Sequence, residues 1–320
     1  MGELLNSHPA IVLPAHENKL IVEQGGLMDL VNQLSGRFDM KRHHYAVANF
    51  IGWAARLRVI GFGDAALNTK VRGLIATGTD MHKAFEVVVR ENPDAGFSLH
   101  ATGQFIGLEH YDACVNDFVR GLIVSVSAEG IVDTEGLIRP FFTPRSMTRG
   151  EALDACRAFL ERLYAPSLQR AGAQRWCDDT PDNWLYLDFL HELYPSMRFI
   201  HMIRDPRDVV GSYMNQTWAP SDPKVIVAGL QAQFAAYEAV KVRVPAECVK
   251  EIRLEDIVAD KAAVMDDLSA YLGVENRFDD SIFTVEKAGT GRYVDKLGAS
   301  MQGFITSELG DWMSMFHYIV

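Results

Sequence analysis

The sequence predicts an α/β protein: a parallel sheet flanked by helices, with a large helical insertion. Three observations predict it. Residues 174–178 (QRWCD), 198–203 (RFIHMI) and 248–254 (CVKEIRL) are short, largely apolar strand candidates. Each is followed by a helical pattern, over 182–194, 206–217 and 260–272. The stretch from about 40 to 170 carries mostly helical spacing instead. Strand–helix alternation builds parallel sheets, because each return crossing lays a helix on a sheet face. Ligands of such sheets collect at the carboxyl ends of the strands.

In chain order, residues 1–7 read as the tail of a helix, and HPAIVLP as a short extended piece ending at Pro14. Leu20, Val22, Leu27, Leu30, Val31 and Leu34 suggest a helix to about Arg37, weakened by Gly25-Gly26. Residues 41–60, 80–91, 106–125 and 149–170 read as amphipathic helices. Thr148 suits the cap of the last of these, with Glu151 three residues on. The third strand closes near Glu255-Asp256, and 275–320 reads as a loop followed by a terminal helix from about Ile305.

Composition narrows the function classes. The 320 residues are 48% hydrophobic with net charge −11, so no global basic field exists to hold a nucleic-acid backbone. An anionic ligand would need a local concentration of positive groups. Cys114, Cys156, Cys177 and Cys248 form no CxxC pair and fit reduced thiols. Charges interrupt every apolar run, and MGELLNSHPA lacks signal-peptide regions, so a cytoplasmic protein without membrane insertion is expected. His43-His44 read as helix surface. Asp178, Asp179 and Asp182 suit a capped helix start at Thr180-Pro181 better than a cation site, and no metal is expected.

The informative turn is IRDPRDVVGSY. Asp205 suits the N-cap, Pro206 the first helical position and Asp208 the third. Arg204 is unexplained by this. A cation beside a helix N-terminus, which is already partly positive, is electrostatically uphill unless an anion binds there. An Arg204–Asp208 ion pair, or a salt bridge to a distant part of the chain, would equally resolve it.

IRDPRDVVGSY resembles the 3′-phosphate-binding signature of sulfotransferases that use 3′-phosphoadenosine-5′-phosphosulfate (PAPS). DDTPDNWLYLDFLHELYPSMRFIHMIRDPRD is similar to that family's D-K-T-P-x-N, helix, F-P, strand arrangement. EIRLEDIVAD resembles its later strand and E-D-L segment, and GTGRYVDKL its late G-R-W loop. ELLNSHPAIVLPAHENKL resembles its first helix, H-P, short strand and P-x-x-E.

The resemblance implies a P-loop nucleotide-kinase-like fold over 1–320 as one domain. Residues of about 40–170 would form a helical acceptor-side insertion, and 171–300 would carry the nucleotide. It implies that Arg204 and Ser212 bind the ribose 3′-phosphate and that Gly291, Arg292 and Tyr293 lie along the nucleotide. Glu17 would be the catalytic carboxylate, with His16 its competitor; without the resemblance Glu17 reads as a solvated loop residue. Trp218 is a candidate adenine platform. PAPS is the implied co-substrate, and a small-molecule, lipid or carbohydrate acceptor the implied partner; a homodimer is left open.

Three departures stand out. The family's opening strand and G-x-x-R/K-S-G-T-T loop, which would cradle the 5′-phosphosulfate, are not found. Neither VIGFGDAA at 59–66 nor IATGTD at 75–80 replaces it, each reading as a helix end or turn. The chain opens inside the family's first helix, which suggests an upstream start. Asp179 stands where a basic residue is usual, and Leu254 where an aromatic hydroxyl often occurs. Two functions follow: a PAPS-dependent sulfotransferase, or an inactive or truncated member that binds a nucleotide or a partner. A kinase with a related loop fits the Arg-Asp-Pro-Arg-to-Ser spacing less well.

Overall fold

The computed structural model describes residues 1–62, 65–92, 97–98, 100–132, 138–216, 218–284 and 288–319. It is a mixed α/β protein, mostly helical, with small parallel sheets. Two compact units are formed. One comprises Met1–Leu13, Ala171–Cys177 and Pro181–Val320; the other comprises Pro14–Arg170 and Asp178–Thr180.

The first unit holds the parallel strands. Ile11–Val12 pairs with Arg175–Trp176, and Phe199–Ile203 pairs in step with Val249–Arg253. Among the described residues these are two separate two-stranded ladders. The Tyr271 hydroxyl lies within donating distance of the carbonyls of Cys248 (2.7 Å) and Phe199 (3.0 Å), at the start of the second ladder. The helix Pro206–Tyr213 follows the first strand of that ladder, and the helix Pro223–Lys241 leads towards the second. Asp222 caps the longer helix by accepting from the Lys224 amide, with Pro223 at the first turn. Val210 of Pro206–Tyr213 packs in one buried cluster with Ile226, Val227, Leu230 and Leu297. Full burial of side chains of this size contributes roughly 1.5–3 kcal/mol each.

The second unit is helical around a three-ring core. Phe118 and Phe159 stack at 4.6 Å, and Phe50 meets Phe118 edge-on at 5.2 Å. The helix Arg149–Ala171 starts as the sequence predicts: the Thr148 amide donates to Glu151 Oε2 (2.7 Å), and the Glu151 amide to Thr148 Oγ1 (3.3 Å).

Several boundaries differ from expectation for local reasons. The helix expected over 20–37 spans only Leu27–Leu34. Gly25 is left-handed (φ +82), and the Leu27 amide bonds back to the Leu20 carbonyl, so 20–26 fold as turns. The helix expected over 106–125 stops at Leu122, where IVSVS alternates with period two. That alternation begins an antiparallel hairpin, Ile123–Val132 with Ile138–Pro144, which the helical reading had absorbed. The 182–194 pattern divides into a 3₁₀ stretch, Pro181–Tyr186, and the helix Leu187–Leu193. The terminal helices begin at Ala299 rather than Ile305. Residues 63 and 64 of VIGFGDAA lie outside the described residues. Gly78 in IATGTD is left-handed (φ +90) just past the helix Ala65–Ala76.

His43 and His44 are not on the surface. Both are buried, and His44 lies against Phe141 and Phe142 of the hairpin at 4.6 and 4.1 Å. Burial lowers the His44 pKa. All four cysteines are free thiols. Among the described residues no helix is long and apolar enough to cross a membrane.

Candidate functional site

The strand Phe199–Ile203 ends at the buried Ile203 and delivers Arg204 to the start of the helix Pro206–Tyr213. Asp205 caps that helix through the Arg207 amide (2.9 Å) and also binds the Arg207 guanidinium (2.6 Å). Arg207 is thereby neutralised, and its guanidinium lies 4.2 Å from the centre of the Tyr293 ring. Glu255, from the E-D segment, accepts from the Asp205 amide (3.1 Å) and from the Tyr318 hydroxyl (2.7 Å).

Arg204 is treated differently. Its Nη2 donates to the Gly289 carbonyl at 2.7 Å, and its buried Nε has no hydrogen-bond partner among the described residues. No carboxylate among the described residues lies within ion-pairing distance of it. The anticipated Arg204–Asp208 pair does not form, because Asp208 is used elsewhere. Asp208 is only 3% exposed, and its two oxygens accept from the amides of Gly291 (2.6 Å) and Tyr293 (2.8 Å). One carboxylate on the Arg204 helix therefore anchors the whole GTGRY segment. Gly289 (φ +63) and Gly291 (φ +74) make that segment possible. A Cβ on Gly289 would sit 2.9 Å from the Arg292 guanidinium carbon.

Between helix and loop lies a cavity of about 200 Å³, lined by Arg204, Asp208, Gly211, Ser212, Ala288, Gly289, Arg292, Tyr293 and Lys296. Three lining side chains are cationic and one is anionic, an excess of two positive charges in a chain of net charge −11. That charge excess suits a phosphate-sized anion. Sequence reasoning placed Arg204, Ser212, Gly291, Arg292 and Tyr293 in this region; Gly291 is the one not among the lining residues, and it reaches Asp208 through its amide. It missed Lys296, four residues after Arg292 and so on the same side of a helical turn. It also missed the loop-anchoring role of Asp208, which read as an ordinary first-turn carboxylate. Trp218 is 68% exposed and meets Tyr213 edge-on at 4.9 Å.

Glu17 and His16 belong to the other unit, on a constrained turn. Glu17 (φ +42) and Lys19 (φ +52) are both left-handed without being glycine. Such conformations cost on the order of 1–3 kcal/mol each and persist only where the surroundings impose them. Here the Glu17 amide donates to Asp179 Oδ1 (2.7 Å), and the His16 ring approaches Asp179 Oδ2 (3.0 Å). The Lys19 carbonyl accepts from Trp53 Nε1 (2.7 Å), and the Asn18 carbonyl from Thr102 Oγ1 (2.8 Å). Glu17 Oε2 then stands 3.7 Å from Lys19 Nζ and 3.6 Å from His100 Nδ1. Burial, with Lys19 beside it, pushes the His100 pKa down to about 4, so its ring is neutral at pH 7. His100 is 83 residues beyond Glu17 in sequence, and no local pattern marks it. Asp178 serves the turn as a cap, its Oδ1 accepting from the Thr180 amide (2.9 Å) and hydroxyl (2.7 Å).

The family model of the sulfotransferase family matches residues 133–280. That span contains the Arg204 turn, both strands of the second ladder and Glu255. Glu17 and the Gly289–Lys296 segment lie outside the matched range. The nodulation protein NoeE of Sinorhizobium fredii (strain NBRC 101917 / NGR234) is 34% identical over 70 residues, which is 22% of this chain and 16% of that protein. The chain therefore aligns with only about a sixth of that relative's length. No solved structure matches.

Proposed function

We propose that this protein transfers a sulfuryl group from PAPS to a hydroxyl or amine of a small-molecule, lipid or carbohydrate acceptor. The observation that carries the reading is Arg204. Its guanidinium borders a cationic cavity and, among the described residues, is paired with no carboxylate and keeps a buried Nε without a hydrogen-bond partner. A buried donor left unmade is costly, and a bound phosphate oxygen would satisfy it. In this reading Arg204, Ser212, Arg292 and Lys296 hold the ribose 3′-phosphate, while Asp208 keeps the loop closed. The overall fold is proposed to be of the P-loop nucleotide-kinase-like kind, with residues of about 40–170 on the acceptor side.

Glu17 is the proposed base. As the acceptor oxygen attacks sulfur, an O–S bond forms and the S–O bond to the 5′-phosphate breaks. The bonding pair leaves on adenosine 3′,5′-bisphosphate, and the acceptor proton passes to the Glu17 carboxylate. The chemistry is an in-line displacement governed by positioning and charge stabilisation. His16 is the competing candidate: Asp179 lies 3.0 Å from its Nδ1, an arrangement that leaves Nε2 to take a proton.

A second reading is favoured by one sequence fact: no G-x-x-R/K-S-G-T-T pattern occurs in residues 1–320. A nucleotide-binding module without transfer activity would then remain. Incubation with PAPS radiolabelled in its sulfuryl group, against a panel of hydroxyl and amine acceptors, separates the two. Transfer of label with release of adenosine 3′,5′-bisphosphate is the expected result. Nucleotide binding without transfer would select the binding module, and absence of both would remove the sulfotransferase assignment of this site.

A further inference from the structure

The strained turn and the carboxylate that holds it point to a role for Asp179. We infer that Asp179 is a positioning residue that fixes the Glu17 carboxylate in its reactive pose; the inference rests on the functional reading above. Two contacts from one side chain set the turn: Oδ1 accepts from the Glu17 amide (2.7 Å), and Oδ2 lies 3.0 Å from His16 Nδ1. Residue 17 has no glycine to make its left-handed backbone (φ +42) easy, so the conformation must be imposed. The contacts at Asn18 and Lys19 fix the far side of the turn. The Lys19 amide also donates to Thr180 Oγ1 (3.3 Å), the residue next to Asp179. Asp179 thus completes the near side, where the Glu17 side chain departs from the backbone.

The direction follows from the rotation involved. With the Glu17 amide released, residue 17 relaxes to negative φ, and its Cβ and carboxylate swing away from Lys19 and His100. An acidic residue suits this task because an amide N–H and a histidine ring both need an acceptor. A basic residue at 179 carries no acceptor and could not hold the Glu17 amide.

The test compares crystal structures and transfer kinetics of the parent, Asp179→Ala, Asp179→Asn, Glu17→Gln and the Asp179→Ala/Glu17→Gln pair. In Asp179→Ala, residue 17 is expected at negative φ and kcat at least about tenfold lower, a scale set by misplaced catalytic groups. Affinity for adenosine 3′,5′-bisphosphate is expected to stay unchanged. Asp179→Asn, whose side-chain oxygen still accepts from the Glu17 amide, should recover most of the loss. The double variant should be no slower than Glu17→Gln alone, since a positioning residue acts only through the group it positions. Asp179→Ala with parental backbone and kcat, or losses that multiply in the double variant, would overturn the inference. If Asp179→Ala does not fold, Asp179→Glu decides: its longer arm should displace the amide contact and lower kcat, and a parental kcat would overturn the inference. A parent with no transfer activity removes the functional reading and this inference together. That outcome is distinct from an active parent matched by its Asp179→Ala variant.

Discussion

Glu17→Gln is expected to lower sulfuryl transfer by about 10²- to 10⁴-fold, the usual worth of a positioned general base. Glutamine preserves the length and shape of the side chain, so the turn should survive. The amide cannot take the acceptor proton. Because the proposed nucleotide contacts come from Arg204, Ser212, Arg292 and Lys296, affinity for adenosine 3′,5′-bisphosphate should not change. Turnover at saturating PAPS, with titration of the product nucleotide alongside, measures both quantities. A parental kcat would exclude Glu17 as the base and return attention to His16, whose ring approaches Asp179 at 3.0 Å.

Arg204→Ala carries the second large effect. Charge-assisted contacts contribute roughly 1.5–3 kcal/mol, so affinity for adenosine 3′,5′-bisphosphate should fall about 10- to 150-fold. The loop itself should hold, because Asp208 keeps two amides of the segment even when the 2.7 Å contact from Arg204 to Gly289 is lost. Arg204→Lys should fall between parent and alanine variant: it retains charge but not the planar fork. Isothermal calorimetry at low and high salt reads this directly. Equal binding by parent and Arg204→Ala would take the guanidinium out of the site.

How much of this was legible in the sequence depends on the range of the interactions. The Arg204 turn was readable because its determinants are adjacent: a strand end, Asp205, Pro206 and the following helix. The capping box at Thr148 and Glu151 was readable for the same reason. The cation accounting was not. Whether Arg204 pairs with Asp208 depends on what else Asp208 touches, and it touches a loop more than 80 residues away. His44 looked exposed because its partners, Phe141 and Phe142, lie almost a hundred residues on. The antiparallel pairing of 123–132 with 138–144 was hidden because the helical spacing ending at Leu122 runs directly into the alternation IVSVS. Asp179 illustrates the reverse case. Against the family pattern it is a departure, an acidic residue where a basic one is usual; in the folded unit it accepts from the backbone of the proposed base.

The central claim is that the cavity beside Arg204 receives a phosphate on the ribose 3′ position. Titrating the parent protein with adenosine 3′,5′-bisphosphate and, separately, with adenosine 5′-monophosphate isolates that phosphate. The two ligands differ in nothing else. The bisphosphate should bind at least about tenfold more tightly, equivalent to roughly 1.4 kcal/mol. Equal affinities would contradict the assignment of the cavity.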